Sequence, residues 1–154
     1  MKRPYNKFLP LAGDPNLENS PFHWISQVHT QYIQNIDYAL KIYGLDNSRR
    51  QILLALKSKN NASVSDLSKI MICKISTTTK IVHRLKNEGL VETSTCKIDG
   101  RFTRVTLTKK GDYAIQNINT LNHIIITQSF DGLTPLQIEN FLETLKYIFK
   151  RLSN

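Results

Sequence analysis

Cysteine is scarce in this chain. Cys73 and Cys96 are the two in 154 residues, too few for a disulfide framework, and they do not form the CxxC pair of a zinc or thioredoxin-like site. Reduced thiols are the expectation. Long apolar runs are missing as well: none approaches the ~18 residues needed to cross a bilayer. The basic, proline-containing first ten residues lack the apolar stretch of a secretory signal. A soluble, cytoplasmic protein with no membrane partner is expected. The histidines His23, His29, His83 and His123 are scattered, and His23 and His29, six apart, would lie about 240° apart on a helix. No metal and no cofactor is expected. Nor is there a Ser/His/Asp set, a glycine-rich phosphate loop or a carboxylate pair at useful spacing, so an enzyme is not expected. His83 and Asp99 together do not make a site. Acidic side chains are the last deficit: 12 against 21 lysines and arginines, a net charge of +9 and a pI near 9.7. That excess points to a polyanionic partner.

What is present suffices for one compact domain of the usual ~100 to 200 residues, with 40% hydrophobic residues for a core. Four of the five prolines, Pro4, Pro10, Pro15 and Pro21, lie in or at the edge of the first twenty residues together with Gly13 and Asp14, so residues 1–20 read as an irregular arm. Ser20 and Pro21 form an N-cap and N1 pair for a long helix over 21–43, ended by Gly44. A second helix starts near Asp46 or Asn47 with Ile52, Leu53 and Leu56 on one side. Ser63 or Ser65 caps a third, with Val64, Leu67, Ile70 and Met71 facing inward. A fourth runs from about Ser76 to Gly89 on Ile81, Val82 and Leu85. Residues 90–95 and 102–107 are β-rich, and the polar stretch between them contains Asp99-Gly100, a hairpin signal. A fifth helix spans about 109–128 with Tyr113, Ile115, Ile118, Leu121, Ile124 and Ile125. A last one runs from Pro135 to about Leu152. Its apolar positions, among them Leu142, Leu145 and Phe149, exceed what one small domain covers, and a dimer seam is expected there.

A helix pair followed by a hairpin in a basic chain is the layout of a winged helix-turn-helix, mainly α with a small β-wing, whose second helix enters the DNA major groove. The run Ser65-Asp66-Leu67-Ser68-Lys69-Ile70, the run Ser76 to Val91, Asp99-Gly100-Arg101, and Arg104 through Leu107-Thr108-Lys109-Lys110-Gly111 resemble the multiple-antibiotic-resistance regulator (MarR) family. The resemblance covers most of the chain and leaves out the N-terminal arm. It implies residues 21–45 and 110–154 as dimerisation helices and residues 46–109 as the DNA-binding winged helix. It further implies a homodimer on double-stranded DNA, most often a repressor, that answers to a small aromatic acid held between the two lobes.

Particular residues follow. Ser76, Thr77, Lys80, His83 and Arg84 should face DNA, since short hydroxyls and cations suit base edges and phosphates. Arg101 at the wing tip suits a narrow minor groove, as the family's Asp-x-Arg wing also implies. Gly100 stands where that family often has a second arginine, and Lys97 and Arg104 are the candidates to restore phosphate contacts. In the cleft, the resemblance puts an apolar or aromatic residue where this chain has Arg50. A guanidinium there suits a carboxylate, the alternative being a side chain that reaches solvent beside Arg49. His23 and Trp24 are candidates for a hydrogen bond and a stacking face. Two rival readings stand beside this one. One is a redox switch through Cys73 or Cys96, which needs an accessible thiol of depressed pKa. The other is an architectural DNA protein without sequence preference.

Overall fold

A computed structural model describes residue 8 and residues 17–95 and 103–153. A short 3-10 turn (Leu17–Asn19) leads into α1 (Pro21–Leu40), where the Ser20 side chain accepts from the His23 N–H and Pro21 opens the first turn. A second 3-10 turn (Lys41–Tyr43) is closed by Gly44 at φ 66, a left-handed conformation that glycine adopts without steric cost. Then follow α2 (Asn47–Ser58), β1 (Ala62–Ser63), α3 (Val64–Ile70), α4 (Ile75–Asn87), β2 (Val91–Thr95), β3 (Thr103–Leu107), α5 (Lys109–Ser129) and α6 (Pro135–Leu152).

The hairpin is part of a three-stranded antiparallel sheet ordered β1-β3-β2. β1 was not foreseen: two residues, with Ala62 opposite Val105 and Ser63 opposite Arg104, carry no period-two signal. It matters because it ties the entry to α3 onto the wing. Of the two candidate caps for α3, Ser63 serves. Its hydroxyl accepts from the Asp66 N–H while Asp66 accepts from the Ser63 N–H, a reciprocal capping box. The Ser63 hydroxyl, which also donates to Asp66 Oδ2 at 2.8 Å, and the Ser63 N–H hold the Asp66 carboxyl below its ordinary pKa.

The core is centred on α2. Ile52, Leu53 and Leu56 are wholly buried, against Ile36 and Leu40 of α1, Leu67 of α3, Leu85 of α4, Val105 of β3 and Ile118 of α5. Ile70, expected to face inward, lies at the surface, and so do two apolar positions of the fifth helix. Ile70 is 53% exposed, Tyr113 66% and Ile124 45%. The α3 helix ends at Ile70, so the chain leaves the helix before that side chain is covered, and Ser68 takes an inward position instead. In α4 the unforeseen core residue is Thr78, fully buried.

Gly111 explains its own place in the Leu107-Thr108-x-x-Gly111 run. Thr108 caps α5 by accepting from the Gly111 N–H at 3.0 Å and donates its hydroxyl proton to the Gly89 carbonyl at 2.7 Å. The α5 backbone is thereby drawn onto the chain at Leu90. A Cβ on Gly111 would stand 2.1 Å from the Leu90 carbonyl oxygen. Wing and α5 are joined at a contact that admits no side chain.

The α6 helix differs from the rest. It is capped by a Thr134–Gln137 box, yet none of its side chains is buried in the protomer. Phe141, Leu142, Phe149 and Leu152 are each about half or more exposed.

Candidate functional site

Thr78, Ile81, Val82 and Leu85 hold α4 to the body, and their spacing turns the opposite face outward. Ser76, Thr77, Lys80, His83 and Arg84 are all exposed, as expected, and so are Thr79, Lys86 and Asn87, which sequence reasoning passed over. By the 3.6-residue repeat, Ser76, Lys80, His83 and Asn87 make the ridge farthest from the core. His83 and Asn87 touch through Nδ1 and Nδ2 at 3.3 Å. Thr77 and Arg84 flank that ridge on the side of α2, where Arg84 Nη1 lies 3.5 Å from Asp46 Oδ2. Thr79 and Lys86 flank it on the side of the wing, lining with Ile75 and His83 a groove whose far wall includes Thr93 and Thr103.

Lys97, Arg101 and Cys96, expected in the wing, lie outside the described residues. Arg104 is described. It alternates with Thr103 and Val105 along β3, so it projects from the other face of the sheet, and its Nη1 donates to the Asn61 carbonyl at 3.2 Å. Asn61 has φ 58, and this bond fastens its turn to the wing. Cys73 is half-buried with Sγ 3.1 Å from the Thr78 hydroxyl.

The N-terminus of α2 carries two buried arginines, Arg49 at 6% and Arg50 at 8% exposure. The solvent-reaching alternative for Arg50 is therefore set aside. Being consecutive on a helix, the two point in different directions. Arg49 pairs with Glu88 at the C-terminal end of α4 and with Asp46 at 3.3 Å. Burial alone would lower its pKa, but the bonds and charges of Glu88 and Asp46 outweigh that and hold the guanidinium above its ordinary value. Asp46 also caps α2 by accepting from the Arg49 N–H at 2.9 Å.

Arg50 turns toward α1 and α5. Its Nε and Nη2 donate to Asn122 Oδ1 at 3.1 and 2.9 Å, and Nη1 donates to Asn47 Oδ1 at 2.9 Å. Nη2 also donates to the Tyr32 hydroxyl, and the guanidinium carbon stands 5.5 Å from the Tyr32 ring centroid. Among the described residues no carboxylate reaches it. A buried cation held by neutral oxygens alone is an unbalanced charge.

Of the two aromatic candidates named with Arg50, neither adjoins it. Trp24 sits eight residues from Tyr32 on α1, about 12 Å along the axis. Its indole N–H is satisfied by the Glu18 carbonyl at 3.0 Å. His23 meets the Trp24 ring edge-on at 5.6 Å. Trp24 does line an apolar groove of about 520 Å³ between α1 and α6, with Val28, His29, Tyr32, Phe141 and Leu145 among its walls, and His23 is not one of them. Tyr32 belongs to both places, with its hydroxyl on Arg50 and its ring in the groove. Sequence spacing could have suggested Tyr32, which lies on the same helix as Trp24. Nothing local joins it to Asn47 or Asn122.

A helix pair, a three-stranded antiparallel sheet and an outward cationic helix face define a winged helix-turn-helix DNA-binding regulator. Residues 45–103 match the model of the MarR family. The chain is 36% identical over 143 residues to the HTH-type transcriptional repressor IacR of Pseudomonas putida, covering 93% of this chain and 86% of that protein. Among solved structures, a MarR family transcriptional regulator from Silicibacter pomeroyi DSS superimposes with a TM-score of 0.81 at 23% identity, covering 93% and 97% of the two chains. BpsR of Bordetella bronchiseptica, whose DNA binding is regulated by 6-hydroxynicotinic acid, superimposes with a TM-score of 0.73 at 21% identity, covering 86% and 98%. The chain belongs to the MarR family of transcriptional regulators. Members of this family bind DNA and act as dimers. No helix among the described residues is long and apolar enough to cross a membrane.

Proposed function

We propose that this chain is a homodimeric, cytoplasmic repressor that leaves a pseudo-palindromic operator when a small aromatic carboxylate binds at Arg50. The observation that carries the reading is the buried Arg50 guanidinium, whose partners among the described residues are the neutral oxygens of Asn47, Asn122 and Tyr32. A carboxylate would supply the missing counter-charge through a charge-assisted bond, and the Tyr32 ring offers the effector an aromatic neighbour. Trp24 lines the apolar groove beyond. The likeness to IacR, a repressor, and to BpsR, which answers to an aromatic acid, supports the same reading.

Each half-site takes one winged helix, with Ser76, Thr77, Lys80, His83 and Arg84 on the major groove and Arg101 and Lys97 on the wing. Leu142, Leu145 and Phe149 of α6 form the dimer seam. The route from effector to DNA is short. Arg50 faces the effector, and the next residue back, Arg49, grips the end of α4 through Glu88. An effector that favours one setting of α2 shifts the two recognition helices, and lowers operator affinity by its differential affinity for the two settings.

A thermal-shift screen of aromatic carboxylates, 6-hydroxynicotinate among them, followed by operator binding with each hit, tests this. At least one acid should raise the melting temperature and weaken operator binding. An operator-binding dimer that no aromatic acid stabilises or releases would refute it.

A further inference from the structure

The outward face of α4 is polar along Ser76, Lys80 and His83, but the first turns of the wing-side flank, before Lys86, present apolar groups. Ile75 opens the helix 55% exposed. One turn on, Thr79 donates its hydroxyl proton to the carbonyl of Ile75 at 2.8 Å. That bond turns the polar end of the side chain to the helix backbone and leaves the Thr79 methyl as its outward group. Four residues apart, the two share one face. Both line the groove of about 440 Å³ between α4 and the wing, whose rim carries His83 and Lys86.

A rim with the Lys86 ammonium beside methyl groups matches one feature of duplex DNA. A phosphate pairs with the ammonium, and in the major groove thymine alone of the four bases presents a methyl, at C5. We propose that Ile75 and Thr79 read thymine C5-methyl groups in each half-site, so that part of the operator's sequence is recognised by apolar contact and not by hydrogen bonds. This rests on the assignment of α4 to the major groove made above. It assigns a specificity role to two residues outside the set of hydroxyls and cations expected to carry recognition, and it predicts thymines at fixed positions in both half-sites.

The test begins with selection of binding sites from a random duplex library by the full-length protein. Each thymidine in the enriched half-site is then replaced singly by deoxyuridine, which removes the methyl and leaves every hydrogen-bonding group. At one or two positions affinity should fall about three- to fourfold, the effect of one buried methyl. Thr79→Ser keeps the hydroxyl and removes only the methyl. With it, and with Ile75→Ala, the thymidine-to-deoxyuridine difference at the matching position should vanish. Both side chains are exposed, so folding should be unaffected, and circular dichroism confirms this before titration. A deoxyuridine scan that leaves affinity unchanged overturns the proposal while leaving the DNA-binding assignment intact. So does a difference that persists undiminished in both variants. If no sequence is enriched, the assignment of α4 fails and the methyl reading fails with it.

Discussion

Replacing Arg50 by Met removes the charge while keeping an extended, apolar-compatible side chain. In the parent protein the guanidinium makes its bonds to three neutral oxygens, with distances of 2.9 to 3.1 Å to Asn122 and Asn47 and a further bond to Tyr32. Bonds to a charged group are worth roughly 1.5 to 3 kcal/mol each, but burying a cation without a counter-charge costs several kcal/mol, and the two largely offset. Tyr32, Asn47 and Asn122 are only half-buried, so water can reach them once the guanidinium is gone. The net change in stability should stay within about 2 kcal/mol, a melting shift of less than about 8 °C for a chain of this size. Effector binding behaves differently, because the carboxylate loses its charged partner outright. That loss is again about 1.5 to 3 kcal/mol, roughly ten- to a hundredfold in Kd. Tyr32→Phe keeps the ring that faces the effector and removes a hydroxyl that bonds Arg50, so effector affinity should change by no more than about tenfold, the worth of one neutral hydrogen bond. Calorimetric titration of the strongest acid from the thermal-shift screen against parent and variants measures both, with operator binding in its absence as the control. An Arg50→Met protein that melts normally, binds its operator and titrates the acid like the parent would show that the effector sits elsewhere.

Other outcomes follow from the same geometry. Leu142→Glu combined with Phe149→Glu should disperse the dimer, since both side chains are about half-exposed in the protomer, and sedimentation should show monomers at concentrations where the parent is dimeric. A parent that is itself monomeric at micromolar concentration would remove the two-half-site reading. Lys80→Ala, Arg84→Ala and Arg101→Ala should each weaken operator binding and reduce the slope of log affinity against log salt by about 0.9; three unchanged slopes would mean that another surface meets DNA. Gly111→Ala drives a methyl against the Leu90 carbonyl at 2.1 Å. It should cost about 3 kcal/mol, read as a drop of several degrees in melting temperature, whereas an unshifted melt would contradict the close contact.

Local chemistry was enough to lay out most of this molecule. Ser20-Pro21, Asp46 or Asn47, and Ser63 or Ser65 announce helix starts because a cap is a bond between a side chain and a backbone N–H two or three residues on. The spacing of Ile81, Val82 and Leu85 tells which side of α4 is inward, and therefore which side carries Lys80 and His83, because helical periodicity is fixed by the backbone. Charge and the wing residues did the rest of the class assignment. Other features were decided only when distant segments met. β1 is two residues long and exists because Val105 and Arg104 lie opposite it. Thr78 became core, and Thr79 turned its hydroxyl back to Ile75, for reasons of packing and local bonding that a run of three threonines does not reveal. Arg50 has its meaning from Tyr32, eighteen positions earlier, and Asn122, seventy-two later. Arg49 has its own from Glu88, thirty-nine away. The sequence places two arginines side by side at the start of a helix. Only the packing of α1, α4 and α5 around that helix buries both and gives Arg49 a carboxylate, while Arg50 meets none among the described residues.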